Sequence, residues 1–196
     1  RWGPWEALWS GLILISGVEF FILSRVVIFD MSLTLCITLA LYSFYEATHA
    51  EESMRRKIYC VLMYGALAAG TLIKGLVGLI IPGLTIFVYL LITNPWTILR
   101  SIYLIPGALL FLALVAPWYL LAEARNPGFL RYYLWDEHFG RFATGSFDRK
   151  QPWYFFLVVL AVGFLPWSVL LPSVIKRNWS QSLDDRRIFF LSWSIV

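Results

Sequence analysis

Residues 101–121 read SIYLIPGALLFLALVAPWYLL, without one charged side chain. The hydrocarbon core of a bilayer is about 30 Å thick and takes about 20 apolar residues to cross as a helix. Lipid offers backbone N–H and C=O groups no partners, so such a run must satisfy them within itself as a helix. The lack of apolar/polar alternation removes the alternative of a barrel strand. Working outward, comparable runs lie at 5–23, 26–45, 58–73, 75–92 and 153–175, and a further one begins at 188 and stops with the chain. The expected fold class is all-α, a polytopic transmembrane helical bundle of six or seven spans, with 1–196 forming part of one transmembrane domain. Prolines at 82, 106, 117, 166 and 172 fall in or near these runs and predict kinks.

Composition agrees. Apolar residues make up 60% of the chain and charged residues 14%, with a formal net charge of +4; soluble domains average roughly 45–50% and about 25%. A soluble core of this size has no place for so much apolar surface, and the low charge argues against disorder. Scattered basic residues form no stripe for nucleic acid, although the positive balance suits anionic lipid. Cys36 and Cys60 lie within apolar runs and read as packing residues. The chain begins with Arg1 and stops inside the apolar run 188–196, so the expectation is a piece of a longer protein. No signal peptide is identified.

Counting crossings puts loops 46–57, 93–100 and 176–187 on one side. Positions 24–25 and 74 and the long loop 122–152 fall on the other. Basic residues favour a cytoplasmic first side by a small margin.

Polar chemistry enters the apolar runs at few points. Asp30 is expected about five residues inside the span that starts near Val26, roughly 7–8 Å along the helix. A carboxylate at that depth is either an interfacial acid held by Arg25 or water, or a functional acid in a cavity. Glu19 reads as a helix-end acid. Lys74 sits at the apex of two short apolar runs, flanked by Gly70, Gly75 and Gly78, which permit close backbone approach. Snorkelling explains many such lysines, and an anion from outside the sequence is the other natural partner.

In loop 122–152, Asn126-Pro127 reads as an N-cap and first helical residue, predicting a helix over about 127–142. At 100° per residue Arg131, His138 and Arg141 share one sector, while Asp136 points away from Arg131. The aromatic density of this segment suits a helix lying at the membrane interface, either as a plain amphipathic surface or as a basic ridge. Asp136, Glu137 and His138 offer metal-ligand types but point in different directions on a helix, so metal binding stays open. His49 reads as solvated rather than catalytic.

An intramembrane acid, a cation at a broken hairpin and a basic interfacial helix on one face suit chemistry on an anionic lipid head group. Several stretches in order then resemble a known family. They are Arg25 to Asp30 before an apolar span, the Leu-x-Lys-Gly-x-x-Gly core around Lys74, Ala116-Pro117-Trp118-Tyr119, Asn126-Pro127-Gly128-Phe129, Glu137-His138 with Arg141-Phe142, Gln151-Pro152-Trp153-Tyr154, and Gly163-Phe164-Leu165-Pro166-Trp167. Together, from about 20 to 175, they resemble the bacterial polyprenyl-phosphate-sugar glycosyltransferases, whose relatives are the protein O-mannosyltransferases and the aminoarabinose transferases acting on lipid A.

The resemblance implies a GT-C membrane fold in the bacterial inner (plasma) membrane, with chemistry on the periplasmic face. The donor would be a sugar on undecaprenyl or a similar polyprenyl phosphate, and the acceptor a lipid or a protein. Asp30 matches the family's acid at the start of a span, Lys74 its Lys-Gly, and His138 and Arg141 its Glu-His-x-x-Arg-Phe, with Arg131 beside them and Arg25 and Glu137 in support. The family's other acid lies in a first periplasmic loop that would precede Arg1, so the piece alone is expected to be inactive.

Transfer from a polyprenyl phosphate passes through an oxocarbenium-like state as a phosphate leaves. It calls for negative charge or a base near the anomeric carbon and cations against the phosphate. The leaving group carries its own charge, so no cofactor is required, and the use of a metal ion is left undetermined. The alternative reading is a transporter or lipid flippase whose charges line a translocation path; a scaffold without chemistry would leave Asp30 and Lys74 unexplained. The crossing count predicts that single cysteines at position 74 and within 122–152 are labelled from the same side by an impermeant maleimide, and those in 46–57 and 176–187 from the other.

Overall fold

A computed structural model describes residues 3–26, 29–93, 96–133, 135, 152, 154–179 and 184–196, and among these every regular element is helical. In chain order the helices are α1 (Pro4–Ser16), α2 (Val18–Arg25), α3 (Asp30–His49), α4 (Ser53–Lys74), α5 (Val77–Thr93), α6 (Ile98–Ser101), α7 (Leu104–Arg125), α8 (Phe129–Arg131), α9 (Phe155–Gly163), α10 (Leu171–Trp179) and α11 (Asp185–Ile195). A short 3-10 turn, Trp167–Leu170, precedes α10. Contacts divide the chain into two compact units, Arg1–Met31 with Arg149–Ser182, and Ser32–Asp148 with Leu183–Val196. Helices α4 and α7 are each long and apolar enough to cross a bilayer, and the two bent pairs described next add one span apiece if each is counted as continuous.

In the first unit, two of the expected spans are broken, the second of them at Pro166, where the sequence predicts a kink. The run 5–23 turns by 64° between α1 and α2, and 153–175 turns by 110° between Leu157–Gly163 and Trp167–Lys176. Gly17 is extended between α1 and α2. Pro166 stands at the second break, after a cis Leu165–Pro166 peptide, and its ring removes a helical N–H. The two breaks satisfy each other: Val18 N–H donates to the Leu165 carbonyl at 3.1 Å, and the Trp167 indole N–H donates to Ser16 Oγ at 2.9 Å. Irregular backbone at membrane depth requires such internal pairing. By contrast, Pro82 and Pro117 lie inside unbroken α5 and α7, and Pro106 and Pro172 occupy first turns, where the missing N–H has no helical partner to lose.

The second unit is built on α3, α4, α5, α7 and α11. Its core includes Leu41 and Phe44 of α3, Met63 and Leu67 of α4, Tyr89 and Leu90 of α5, and Phe189 of α11. Phe44, Tyr89 and Phe189 meet ring to ring with centroids 5.4–6.1 Å apart. Buried hydroxyls avoid a penalty by bonding back along their own helices: Thr71 to the Leu67 carbonyl at 2.8 Å, Thr85 to Ile81 at 2.9 Å and Ser192 to Ile188 at 2.8 Å. Cys60 is buried and Cys36 half-buried, both as free thiols.

One polar knot joins three helices of this unit. The Asp185 carboxylate, in the first turn of α11, accepts the Tyr89 hydroxyl at 2.6 Å and the Tyr45 hydroxyl at 3.4 Å, and pairs with His49 Nε2 at 3.2 Å. His49 is therefore engaged rather than simply solvated. The physical reason is register: Tyr45 and His49, four apart in the last turn of α3, present one edge to the start of α11.

Helices α4 and α5 touch backbone to backbone at Gly70 and Gly78. A Cβ on Gly78 would overlap the Gly70 carbonyl, whereas nothing lies within 4 Å of a Cβ on Gly83, also in α5. Overpacking at such a contact costs about 1–3 kcal/mol or more. Gly78→Ala should thus lower the thermal unfolding midpoint of the detergent-solubilised protein, while Gly83→Ala leaves it unchanged or slightly raised.

Candidate functional site

The Gly70–Gly78 contact forces a tight turn, and the turn carries the lysine. Helix α4 ends at Lys74 because Gly75 adopts φ +78°, a conformation open to glycine but strained for a side-chain-bearing residue. Gly75 N–H caps the helix on the Thr71 carbonyl at 2.8 Å, and Gly78 N–H bonds the Gly75 carbonyl at 3.1 Å as α5 begins. Lys74 is left exposed at the end of α4, just before a two-residue link to the next apolar helix.

The Thr71 carbonyl also accepts the Tyr119 hydroxyl of α7 at 3.5 Å, and the Tyr119 and Tyr133 hydroxyls meet at 3.3 Å, with Tyr133 able to donate in that pair. Tyr119, Phe129 and Tyr133 form one aromatic cluster, with Phe129 and Tyr133 stacked at 5.4 Å and 16°. An aromatic and hydroxyl link thereby runs from the turn of α4, one helical turn before Lys74, to the segment that bears Arg131.

The start of that segment differs from the expectation. Asn126 ends α7 instead of capping a new helix, and α8 begins at Phe129 after Gly128 at φ +94°. The capping function belongs to Glu123, one turn back in α7: its Oε1 accepts Gly128 N–H at 2.9 Å and its Oε2 accepts Leu130 N–H at 2.7 Å. A carboxylate spanning two free N–H groups at a helix start is a stronger cap than an asparagine amide. Arg131 is exposed at the end of α8. The remainder of the expected 127–142 helix after 135, with Asp136, Glu137, His138 and Arg141, lies outside the described residues.

Asp30 occupies a different place in its helix from the one expected. It is the first residue of α3, half-buried, rather than a residue five positions inside a span. The helix starts there because an acid in the first turn complements the helix dipole. Asp30 belongs to the first unit and Lys74 to the second. Arg25 ends α2 with its guanidinium 4.4 Å from the centre of the Phe21 ring. Glu19, also in the first unit, lies against Gly163, where a Cβ would overlap its carboxylate. Among the described residues no three His, Cys, Asp or Glu side chains are grouped to hold a metal ion.

The sequence does not point to Glu123, Tyr133 and Thr71, and it marks Tyr119 only as the end of the Ala116–Tyr119 motif. The only available signal was spacing, since an acid five and seven residues ahead of Gly128 and Leu130 makes sense only once α7 turns back at Asn126.

An all-helical bundle with apolar spans, two broken helices and a cation at a glycine-tight hairpin defines a multi-pass membrane protein of the GT-C fold. The chain belongs to the dolichyl-phosphate-mannose-protein mannosyltransferase family, whose pattern matches residues 3–133. It is 32% identical over 170 residues to an undecaprenyl phosphate-alpha-4-amino-4-deoxy-L-arabinose arabinosyl transferase of Pseudomonas aeruginosa, covering 85% of this chain and 30% of that protein. With the enzyme of the same name from Edwardsiella ictaluri it shares 27% identity over 197 residues, 99% of this chain and 35% of the relative. The crystal structure of ArnT from Cupriavidus metallidurans bound to undecaprenyl phosphate matches 96% of this chain and 34% of its own with a TM-score of 0.85 and 27% identity. The apo form of that protein matches with a TM-score of 0.82. The chain thus spans about a third of the length of the relatives it matches.

The Glu123 clamp yields a local prediction. Hydrogen bonds to an ionised acceptor are stronger than those between neutral groups. Glu123→Ala should therefore speed amide exchange at Gly128 and Leu130 by at least about tenfold, measured by hydrogen–deuterium exchange, while amides of α4 stay protected.

Proposed function

We propose that the whole protein is an integral-membrane glycosyltransferase that moves a sugar from a polyprenyl-phosphate donor to a lipid or protein acceptor. The observation that carries this reading is the likeness, over 96% of the chain, to ArnT with undecaprenyl phosphate bound. We place the reaction on the periplasmic face of the bacterial inner membrane, the face the crossing count assigns to Lys74 and loop 122–152. The relatives named above are transferases, so the transporter or flippase alternative is not carried further.

In this reading the acceptor's nucleophilic atom attacks the anomeric carbon, the bond from that carbon to the phosphate oxygen breaks, and the polyprenyl phosphate departs with the electron pair. Lys74, together with Arg131, His138 and Arg141, neutralises that phosphate. Asp30 supplies negative charge to the sugar or takes the acceptor's proton, directly or by supporting another acid, and Arg25 and Glu137 assist. A fixed cation is worth most where charge develops in the transition state, because a preorganised apolar site does not screen it as water does. The chemistry requires no cofactor, since the leaving phosphate brings its own charge.

The test uses the whole protein reconstituted with a labelled undecaprenyl-phosphate sugar and a lipid or peptide acceptor. Lys74→Ala and Asp30→Asn are each expected to reduce transfer by at least about tenfold, each factor of ten being 1.36 kcal/mol, with insertion and folding intact. Arg141→Ala is expected to weaken use of the donor more than Asp136→Ala does. Wild-type transfer in both Lys74→Ala and Asp30→Asn removes these residues from the mechanism. A wild type that moves intact lipid without breaking a glycosidic bond overturns the reading itself.

A further inference from the structure

The second unit carries a groove far from the lysine turn. Helix α4 contributes Lys57, Cys60, Val61 and Tyr64, and the start of α7 contributes Tyr103, Pro106, Gly107 and Leu110. The first set has the spacing i, i+3, i+4, i+7 and is one stripe of α4, about 10 Å of axis; it faces Pro106, Gly107 and Leu110 of α7 and Tyr103, the left-handed residue (φ +50°) just before that helix. The floor is set by Gly107, where a Cβ would overlap the Tyr64 ring; Tyr64 itself is held by its hydroxyl on the Ile102 carbonyl at 3.3 Å. The volume is about 310 Å³. Such a slot takes a single alkyl chain.

Its polarity is one-sided. Lys57 and Tyr103 stand at one end, and the remaining lining carries no charge. Seventeen helical residues separate Lys57 from Lys74, about 26 Å along α4, which is nearly the thickness of the hydrocarbon core. The charged end therefore lies in the leaflet opposite the lysine turn.

The charge at that end suits an anion. Arg55, Arg56 and Lys57 follow one another near the start of α4, so cations occupy the helix end where the dipole favours negative charge. Arg56 donates one Nη to the Ala50 carbonyl at 2.7 Å and is not among the residues lining the groove, which leaves Lys57 as the groove's cation. Exposed Glu51 and Glu52 precede the turn, and Glu52 makes no side-chain cap to it.

We propose that the groove between α4 and α7 binds an anionic phospholipid of the leaflet opposite Lys74, one acyl chain lying along the Tyr64–Gly107 contact and the phosphate held at Lys57. This is a binding site separate from that of the donor, and it does not depend on the transfer reaction.

The test is native mass spectrometry of the whole protein released from nanodiscs of phosphatidylglycerol and phosphatidylethanolamine in equal parts. The wild type is expected to retain one phosphatidylglycerol in preference. Lys57→Gln should lower that retention about fivefold, the effect of one basic residue near a bilayer surface. Val61→Trp, which fills the slot from an exposed position, should abolish it, and Lys176→Gln, the same charge change elsewhere, should leave it unchanged. Equal retention of the two lipids, or indifference to Lys57→Gln, overturns the proposal. Displacement of phosphatidylglycerol by equimolar undecaprenyl phosphate reassigns the groove to a polyprenyl lipid and also overturns it. If Val61→Trp does not fold, a phosphatidylglycerol with an acyl diazirine is used on the wild type. Adducts on the peptides of Cys60 to Tyr64 or Pro106 to Leu110 support the site, and adducts confined to other peptides, as when another part of the protein covers the groove, overturn it.

Discussion

Gly70 and Gly78 bring two helix backbones into contact, and most of what distinguishes the lysine turn follows from that approach. A side chain at Gly78 would run into the Gly70 carbonyl and hold α4 and α5 apart, and one at Gly70 would press first on Cys36 of α3. With both glycines in place, the link shrinks to Gly75 and Leu76, and Gly75 must take a positive φ to reverse the chain. Lys74 is then fixed at the end of a helix whose last turn is capped by backbone alone. In lipid, where no hydrophobic force draws one apolar helix to another, close packing of small residues is the main source of such association.

The second unit has polar fastenings toward opposite ends of its helices and an apolar middle. At the end of α4 that carries Lys74, Tyr119 ties α7 to the Thr71 carbonyl and Tyr133 continues the link, while the Glu123 carboxylate fixes the turn into α8. At the end of α3 that carries His49, Asp185 gathers Tyr45, His49 and Tyr89. Between them the core is Leu, Met, Phe and Tyr rings, and buried hydroxyls bond back to their own helices. A buried polar group without a partner costs several kcal/mol in hydrocarbon, so side-chain bonds between helices gather near helix ends.

The first unit meets the same constraint differently. Two helices break in the apolar region, and the backbone N–H of Val18 at one break is taken by the Leu165 carbonyl at the other, while the side chains of Ser16 and Trp167 add a second bond between them. Such internal pairing is what lets irregular backbone lie within lipid.

By itself the sequence determined the class, because uncharged runs of about twenty residues admit only helices in lipid. It also determined Lys74 as a cation between apolar helices, since Gly70, Gly75 and Gly78 are visible without coordinates, and ordered motifs around Lys74 and Asn126 pointed to the family. Tertiary structure alone decided the break at Gly17 and the size of the bend at Pro166, because a bend is set by which freed backbone group finds a distant partner. It alone decided that Asp30 begins α3, a boundary that hydropathy blurs when apolar residues continue on both sides. It replaced Asn126 by Glu123 as the cap of α8 and engaged His49 with Asp185. These depend on where the chain returns after a turn, and hydrogen bonds between residues 136 positions apart, as in His49 and Asp185, leave no mark in local spacing.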